Sequence, residues 1–198
     1  FREHMAEELR ALHDRMGATT IYVTHDQLEA MQMGDKIVVM NHGVVEQFGR
    51  PQDIYDWPAT RFVANFIGSP PMNFLPFHGL LGMGGTEVTL AGAVQSVPAM
   101  RQGASGDLVF GVRPEHVHLS DSDAFKGRAV AVEYLGTTQI VTFDTACGQL
   151  KARLSSAERV EVGAQTGLSF DPRSVTIFDG QNGHALLSEA NERVLRHG

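Results

Sequence analysis

Lysine is scarce in this chain of 198 residues, which has only Lys36, Lys126 and Lys151. The formal net charge is −7, and the arginines stand singly instead of in runs. A nucleic-acid binder releases counterions from a concentrated cationic surface, so no nucleic acid is expected among the partners. Cysteine is nearly absent as well. Cys147 stands alone, which excludes an intramolecular disulfide and suits a reducing compartment. Long apolar runs are missing. Stretches such as Ile37-Val38-Val39-Met40 fall far short of the ~18 residues that a membrane span needs. No basic segment followed by an apolar one opens the chain, so no secretory signal is visible. These absences point to a cytosolic protein. Hydrophobic residues at 42% and charged residues at 20% describe globular sequence, enough for one ordinary domain or two small ones.

The first segment has helical spacing. Met5, Leu9, Leu12 and Met16 recur at intervals of four, three and four, with Glu7, Glu8, Arg10 and Asp14 facing away and Gly17 as C-cap. Thr20 to Thr24 (TIYVT) is β-branched without polar alternation, which predicts a strand covered on both faces. Asp26, with Glu29 three residues later, has capping-box spacing for a helix from Asp26 to Gln32. Lys36 to Met40 and Val44 to Phe48 flank Asn41-His42-Gly43 and predict a hairpin. Pro51 opens a further helix and Pro58 stops it. Thr60 to Ile67 predicts another, ending at Gly68. This order is the tail of an α/β domain, and its buried strand calls for partner strands that the chain does not contain.

Ser69-Pro70-Pro71 marks the boundary, since two prolines cannot continue a helix. Beyond it the pattern changes to period two. Leu108, Phe110 and Val112 form one such set, Val130, Val132 and Tyr134 a second, and Leu150, Ala152 and Leu154 a third. Glycine breakers separate them, as in a small barrel or sandwich. The next helix is expected only at Leu187 to Leu195. Trp57 is expected to pack between the two parts.

His25 is the sharpest chemical feature. It would sit at the C-terminal end of a buried parallel strand and just before a helix, where open α/β sheets bind ligands and helix starts favour anions. The bland alternative is a strand-end histidine bonded to nearby backbone. His116 and His118 could share a strand face, but no third ligand at metal-site spacing is nearby, so no metal is assigned. Arg113-Pro114-Glu115 suits a fold-holding turn with an ion pair better than a catalytic pair. Ser155 and Ser156 lack a nucleophile-elbow context.

Thr20 to Met31 (TIYVTHDQLEAM) resembles the switch-histidine segment of ABC-transporter ATPases. The likeness continues through Asp35 to Met40, Gly43, Gly49 to Tyr55 and Pro58 to Ser69. Phe66 to Leu75 is similar to the junction in the subfamily that energises maltose, other sugar and glycerol-phosphate importers. Gly111 to His116 and Glu133 to Gly136 resemble that subfamily's regulatory domain, a pair of small OB-type barrels. The resemblance implies an α+β chain: residues 1–68 as the C-terminal remnant of an α/β P-loop NTPase domain, and 69–198 as an all-β OB-type (TOBE) domain. It implies that His25 contacts the γ-phosphate of ATP and helps position the attacking water, with Asp26 and Glu29 kept as helix caps. It further implies ATP and magnesium in the full-length subunit, a homodimer docked on two transmembrane permease subunits, a possible regulatory protein on the second domain, and a peripheral position on the inner face of the plasma membrane.

The departures matter equally. No Gly-x-x-x-x-Gly-Lys-Ser/Thr cradle is present. The family's Leu-Ser-Gly-Gly-Gln signature and its Asp-Glu pair at the end of the metal-binding strand are absent too. Phe1 to Met5 resembles the helix that follows those elements, so ~150 residues, about one domain, are expected upstream. The fragment alone is expected to be inactive and to bind neither ATP nor magnesium tightly. An oxyanion- or ligand-sensing barrel module of an importer ATPase is the alternative reading. Gly68 to Asn73 favours the sugar group over it.

Overall fold

In a computed structural model, which describes residues 2–197, the chain begins with the expected helix α1 (Arg2–Met16). Phe1 and Gly198, the outermost residues of the two expected domains, lie outside the described residues. Gly17 ends α1 at φ 60°, and its N–H donates to His13 O at 3.1 Å. The stripe of Met5, Leu9, Leu12 and Met16 is real but exposed. A short helix α2 (Gln27–Met33) follows. Arg10 ties the two together, donating to Met33 O and to Asp35, each at 2.8 Å.

The expected strand at Thr20 to Thr24 does not form. Ile21 and Val23 are 88% and 89% exposed. A strand exists only through hydrogen bonds to a neighbour, and among the described residues no strand pairs with this segment. β-Branched composition alone does not supply one.

The next elements follow the local signals. Strands β1 (Ile37–Asn41) and β2 (Val44–Gly49) form a hairpin. His42 and Gly43 both adopt positive φ, 47° and 79°, as a two-residue turn matched to strand twist requires. Helix α3 (Pro51–Asp56) has proline in its first turn. Helix α4 (Arg61–Phe66) is capped by Thr60, whose hydroxyl accepts Val63 N–H at 3.2 Å. A small core of Ile37, Val39, Ile54, Val63 and Ile67 joins hairpin to helices. Each such buried side chain contributes ~1.5–3 kcal/mol.

After Met72 the chain is almost entirely β. Its strands are β3 (Asn73–Leu81), β4 (Glu87–Leu90), β5 (Ala93–Ser96), β6 (Ala104–Val112), β7 (Val117–Leu119), β8 (Lys126–Tyr134), β9 (Thr138–Thr145), β10 (Gly148–Ser155), β11 (Gln165–Phe170) and β12 (Thr176–Asp179). Five strands pair in the order β10-β9-β8-β11-β7 and three as β12-β6-β3, while β4 and β5 form their own hairpin. Every pair is antiparallel. One apolar core, including Leu75, Phe110, Phe143, Leu150 and Leu168, runs through all of them. The α+β class and the all-β second part match the expectation.

Two details differ. In β8 the register shifts between Ala129 and Ala131. Gly127 and Ala129 are buried, whereas Val132 and Tyr134 are exposed. A bulge redirects the side chains beyond it, which plain alternation cannot anticipate. The last helix is only α5 (Glu192–Leu195). Leu187 N–H donates to Gln102 and its carbonyl accepts Arg101 N–H, while Asn191 bonds both Leu186 O and Ser188 N–H. Those commitments keep residues 186–191 out of the helix.

Gly167 lets β11 pass close to the loop after β7. A Cβ there would lie 1.9 Å from Ser120 O and 2.9 Å from Asp123 O, both backbone atoms. Gly167→Ala is expected to destabilise the chain by ~3 kcal/mol or more. Gly82→Ala, where nothing lies within 4 Å, serves as the near-neutral control. Urea unfolding midpoints of the two variants check this, and equal midpoints would contradict the packing at Gly167.

Candidate functional site

His25 lies in the turn before α2, exposed, with Asp26 as the N-cap. Asp26 Oδ1 accepts Leu28 N–H at 2.9 Å and Glu29 N–H at 3.3 Å. Asp26 N–H donates to Thr24 Oγ1 at 3.0 Å, and Thr24 donates on to Glu29 at 2.8 Å. The Tyr22 hydroxyl also donates to Glu29, at 3.1 Å, and that bond is the main reason its pKa is raised. The backbone on either side of His25 is therefore held by a local polar net, while its imidazole projects into solvent. The expected setting on a buried strand end is corrected to an exposed turn, for the lack of partner strands described above.

A nucleotide triphosphate with magnesium needs several convergent N–H donors, a cationic side chain and a metal-binding hydroxyl. Around His25 the hydrogen-bonded groups are the carboxylates of Asp26 and Glu29, which repel phosphate. The residues described around His25 do not supply that donor set. Among the described residues, no group of three or more His, Cys, Asp or Glu side chains is arranged to hold a metal. His116 lies in a 3₁₀ turn with Nδ1 3.9 Å from Asp171, and His118 is exposed on β7.

The second cluster joins the helical part to the β part. Arg113 follows β6 directly and is only 2% exposed. Its guanidinium donates to Tyr55 O at 2.8 and 3.3 Å, to Ala64 O at 3.0 Å and to Ile67 O at 2.5 Å. These carbonyls belong to the C-terminal ends of α3 and α4, where backbone acceptors lack helical partners and carry partial negative charge. The guanidinium also lies 4.2 Å from the centre of the Tyr55 ring. Burial pulls its pKa down, and Tyr55 and Glu115 act against that shift. The expected Arg113–Glu115 ion pair is replaced. Glu115 accepts the Tyr55 hydroxyl at 2.6 Å instead. Burial, then this bond, pushes the Tyr55 phenol up to about 12.

The crossing between the parts is held along its length. Gly68 adopts φ 116°, and a Cβ there would meet Arg113 Nη1 at 2.8 Å. Gly68 N–H donates to Gln27 Oε1. Arg153 donates to Ser69 O at 2.9 Å. Asn73 makes two bonds to the Lys151 backbone, at 2.7 and 2.8 Å. Arg61 N–H donates to Gly183 O and Ala185 N–H to Ala59 O. Sequence reasoning singled out Arg113 and Gly68 but not Gln27, Tyr55, Asn73 or Arg153. An arginine directly after the unbroken apolar run Leu108 to Val112 was the available signal of a buried charge.

Comparison with known proteins agrees with this arrangement. The MalK OB fold domain family matches residues 68–117 and the TOBE domain family matches residues 110–178. The chain is 38% identical to the trehalose/maltose import ATP-binding protein MalK of Thermococcus litoralis, over 94% of this chain and 53% of that protein. It is 40% identical to the sn-glycerol-3-phosphate import ATP-binding protein UgpC of Ruegeria pomeroyi, over 93% and 52% respectively. It is 36% identical to the trehalose import ATP-binding protein SugC of Mycobacterium tuberculosis, over 93% and 56%. These relatives are importer ATP-binding subunits, and the chain carries the MalK-type OB fold and TOBE matches. It spans about half the length of the curated relatives it matches.

Tyr55 provides a test of the junction. A phenol whose folded pKa is raised contributes stability that is complete below its ordinary value of 10 and lost as pH rises toward about 12. Tyr55 is expected to ionise near pH 12. Tyr55→Phe should remove that step from a spectrophotometric titration and flatten the alkaline fall in stability. An unchanged titration curve would contradict the burial of this hydroxyl against Glu115.

Proposed function

We propose that the chain is the C-terminal part of the ATP-hydrolysing subunit of an ABC importer for sugars or glycerol-phosphate-like carbon sources. Residues 1–68 close its nucleotide-binding domain and 69–198 form its OB-type regulatory domain. The observation that carries this reading is 36–40% identity to sugar and glycerol-phosphate import ATP-binding proteins along more than nine-tenths of the chain. In the full-length subunit ATP and magnesium bind mainly through upstream residues, and His25 supplies a hydrogen bond to the γ-phosphate. Its exposed imidazole on a locally fixed backbone supports that role. A preorganised donor aimed at charge that grows in the transition state lowers the barrier without reorganisation.

The subunit works as a homodimer docked on two transmembrane permease subunits, peripheral on the cytoplasmic face of the membrane, with its β part open to a regulatory protein. Among the described residues no helix is long and apolar enough to cross a membrane, which suits a docked subunit. Importer specificity resides in the permease and the solute-binding component, so the particular cargo belongs to them.

Two measurements test the reading. The 198-residue chain alone should show no magnesium-dependent ATP turnover above background, and measurable turnover would contradict the assignment of the phosphate cradle to upstream residues. In the full-length subunit, His25→Ala should lower kcat by ~10²–10³ with ATP binding largely kept. Unchanged turnover would remove His25 from the mechanism.

A further inference from the structure

The peptide unit between Ile67 and Gly68 is held at both ends by opposite sides of the molecule. Its N–H donates to Gln27 Oε1 at 2.5 Å, and its carbonyl accepts Arg113 Nη1 at the same distance. Gln27 is the first residue of α2, two positions after His25. Arg113 leaves the end of β6 in the β part. A peptide group is planar and turns as a unit, so a rotation that relaxes one of these bonds strains the other. The two bonds also reinforce each other, because a cationic donor on the carbonyl polarises the N–H toward its acceptor. Gly68 has no side chain to obstruct this, and any Cβ would collide with the guanidinium.

We propose that Gln27 is a positioning residue that couples the His25 turn to the β part through this one peptide. When the β part shifts about residues 67–73, the peptide turns, Gln27 loses its donor, and the start of α2 is freed together with the neighbouring imidazole. The proposal rests on the reading of His25 as a phosphate contact and adds a route by which the β part sets its position. Thr24, Asp26 and Glu29 fix the turn internally. Gln27 ties its α2 side to the peptide at Gly68, while Arg10 holds the far end of α2 through Met33 O.

The test has two arms. Gln27 is half-buried and α2 has no fully buried residue, so Gln27→Ala leaves the fold intact. In the 198-residue chain, amide hydrogen exchange at Gly68 should quicken on the order of fivefold in Gln27→Ala, the factor for one net hydrogen bond. Gln27→Glu keeps the acceptor and should restore protection. Equal exchange in Gln27→Ala and the parent overturns the anchor. In the full-length subunit, Gln27→Ala should lower kcat about tenfold with KM for ATP held within about twofold, since misplacement of a catalytic group acts on the chemical step. Gln27→Glu should recover it. Unchanged kcat in Gln27→Ala, where His25→Ala lowers it by ~10²–10³, overturns the coupling and leaves the role of His25 standing. Unchanged kcat in His25→Ala takes down that role and the coupling with it.

Discussion

The structure is organised around one guanidinium taken out of water. Desolvating a cation costs several kcal/mol after relaxation, and Arg113 recovers this with no carboxylate bonded to it. It uses carbonyls from the ends of two short helices and the face of one ring. Those helix ends need donors as much as the arginine needs acceptors. Removing the side chain would leave the carbonyls at the ends of both helices without this donor, so the arginine is a directional link between the helical part and the β part. The glycine at 68, the phenol of Tyr55 and the redirected carboxylate of Glu115 all take their positions from it.

Around that point the junction is polar in a directional way. Asn73 copies a strand partner for Lys151, Arg153 holds the Ser69 carbonyl, and Gln27 reaches across from α2. Apolar packing supports it, with Ala64, Met72, Val109 and Phe178 in a separate small cluster and Arg61 over the Phe74 ring. Hydrophobic burial has no preferred orientation, whereas these bonds define one. A part that transmits position needs the second kind of contact.

What could be read from the residues was local. Asn41-His42-Gly43 announced its hairpin, Pro51 and Thr60 announced helix starts, and Gly17 announced a stop, because each signal acts within a few residues. Thr20 to Thr24 failed as a strand since pairing is not a local property. Val132 and Tyr134 failed as inward-facing residues because one extra residue in β8 resets the face. His25 stood out through the motif that contains it, and its exposure could not be foreseen. Arg113 was legible as structural, yet its true partners lie far back in the chain, where no spacing rule reaches. Gln27 carried no signal, for its significance comes from a glycine N–H on the far side of the hairpin and two helices.

The order of synthesis gives these long-range contacts a further meaning. Helices α3 and α4 leave the ribosome early, but the guanidinium that completes their ends comes from the close of β6. The backbone that pairs with Ala59 and Arg61 comes later still, from residues 183–185. Domains emerge N-terminus first, and contacts of high sequence separation form last. The helical part therefore waits, with the carbonyls at the ends of α3 and α4 unfilled, until much of the β part has been translated. A nascent chain stalled before residue 113 is one that a chaperone or protease would recognise as unfinished.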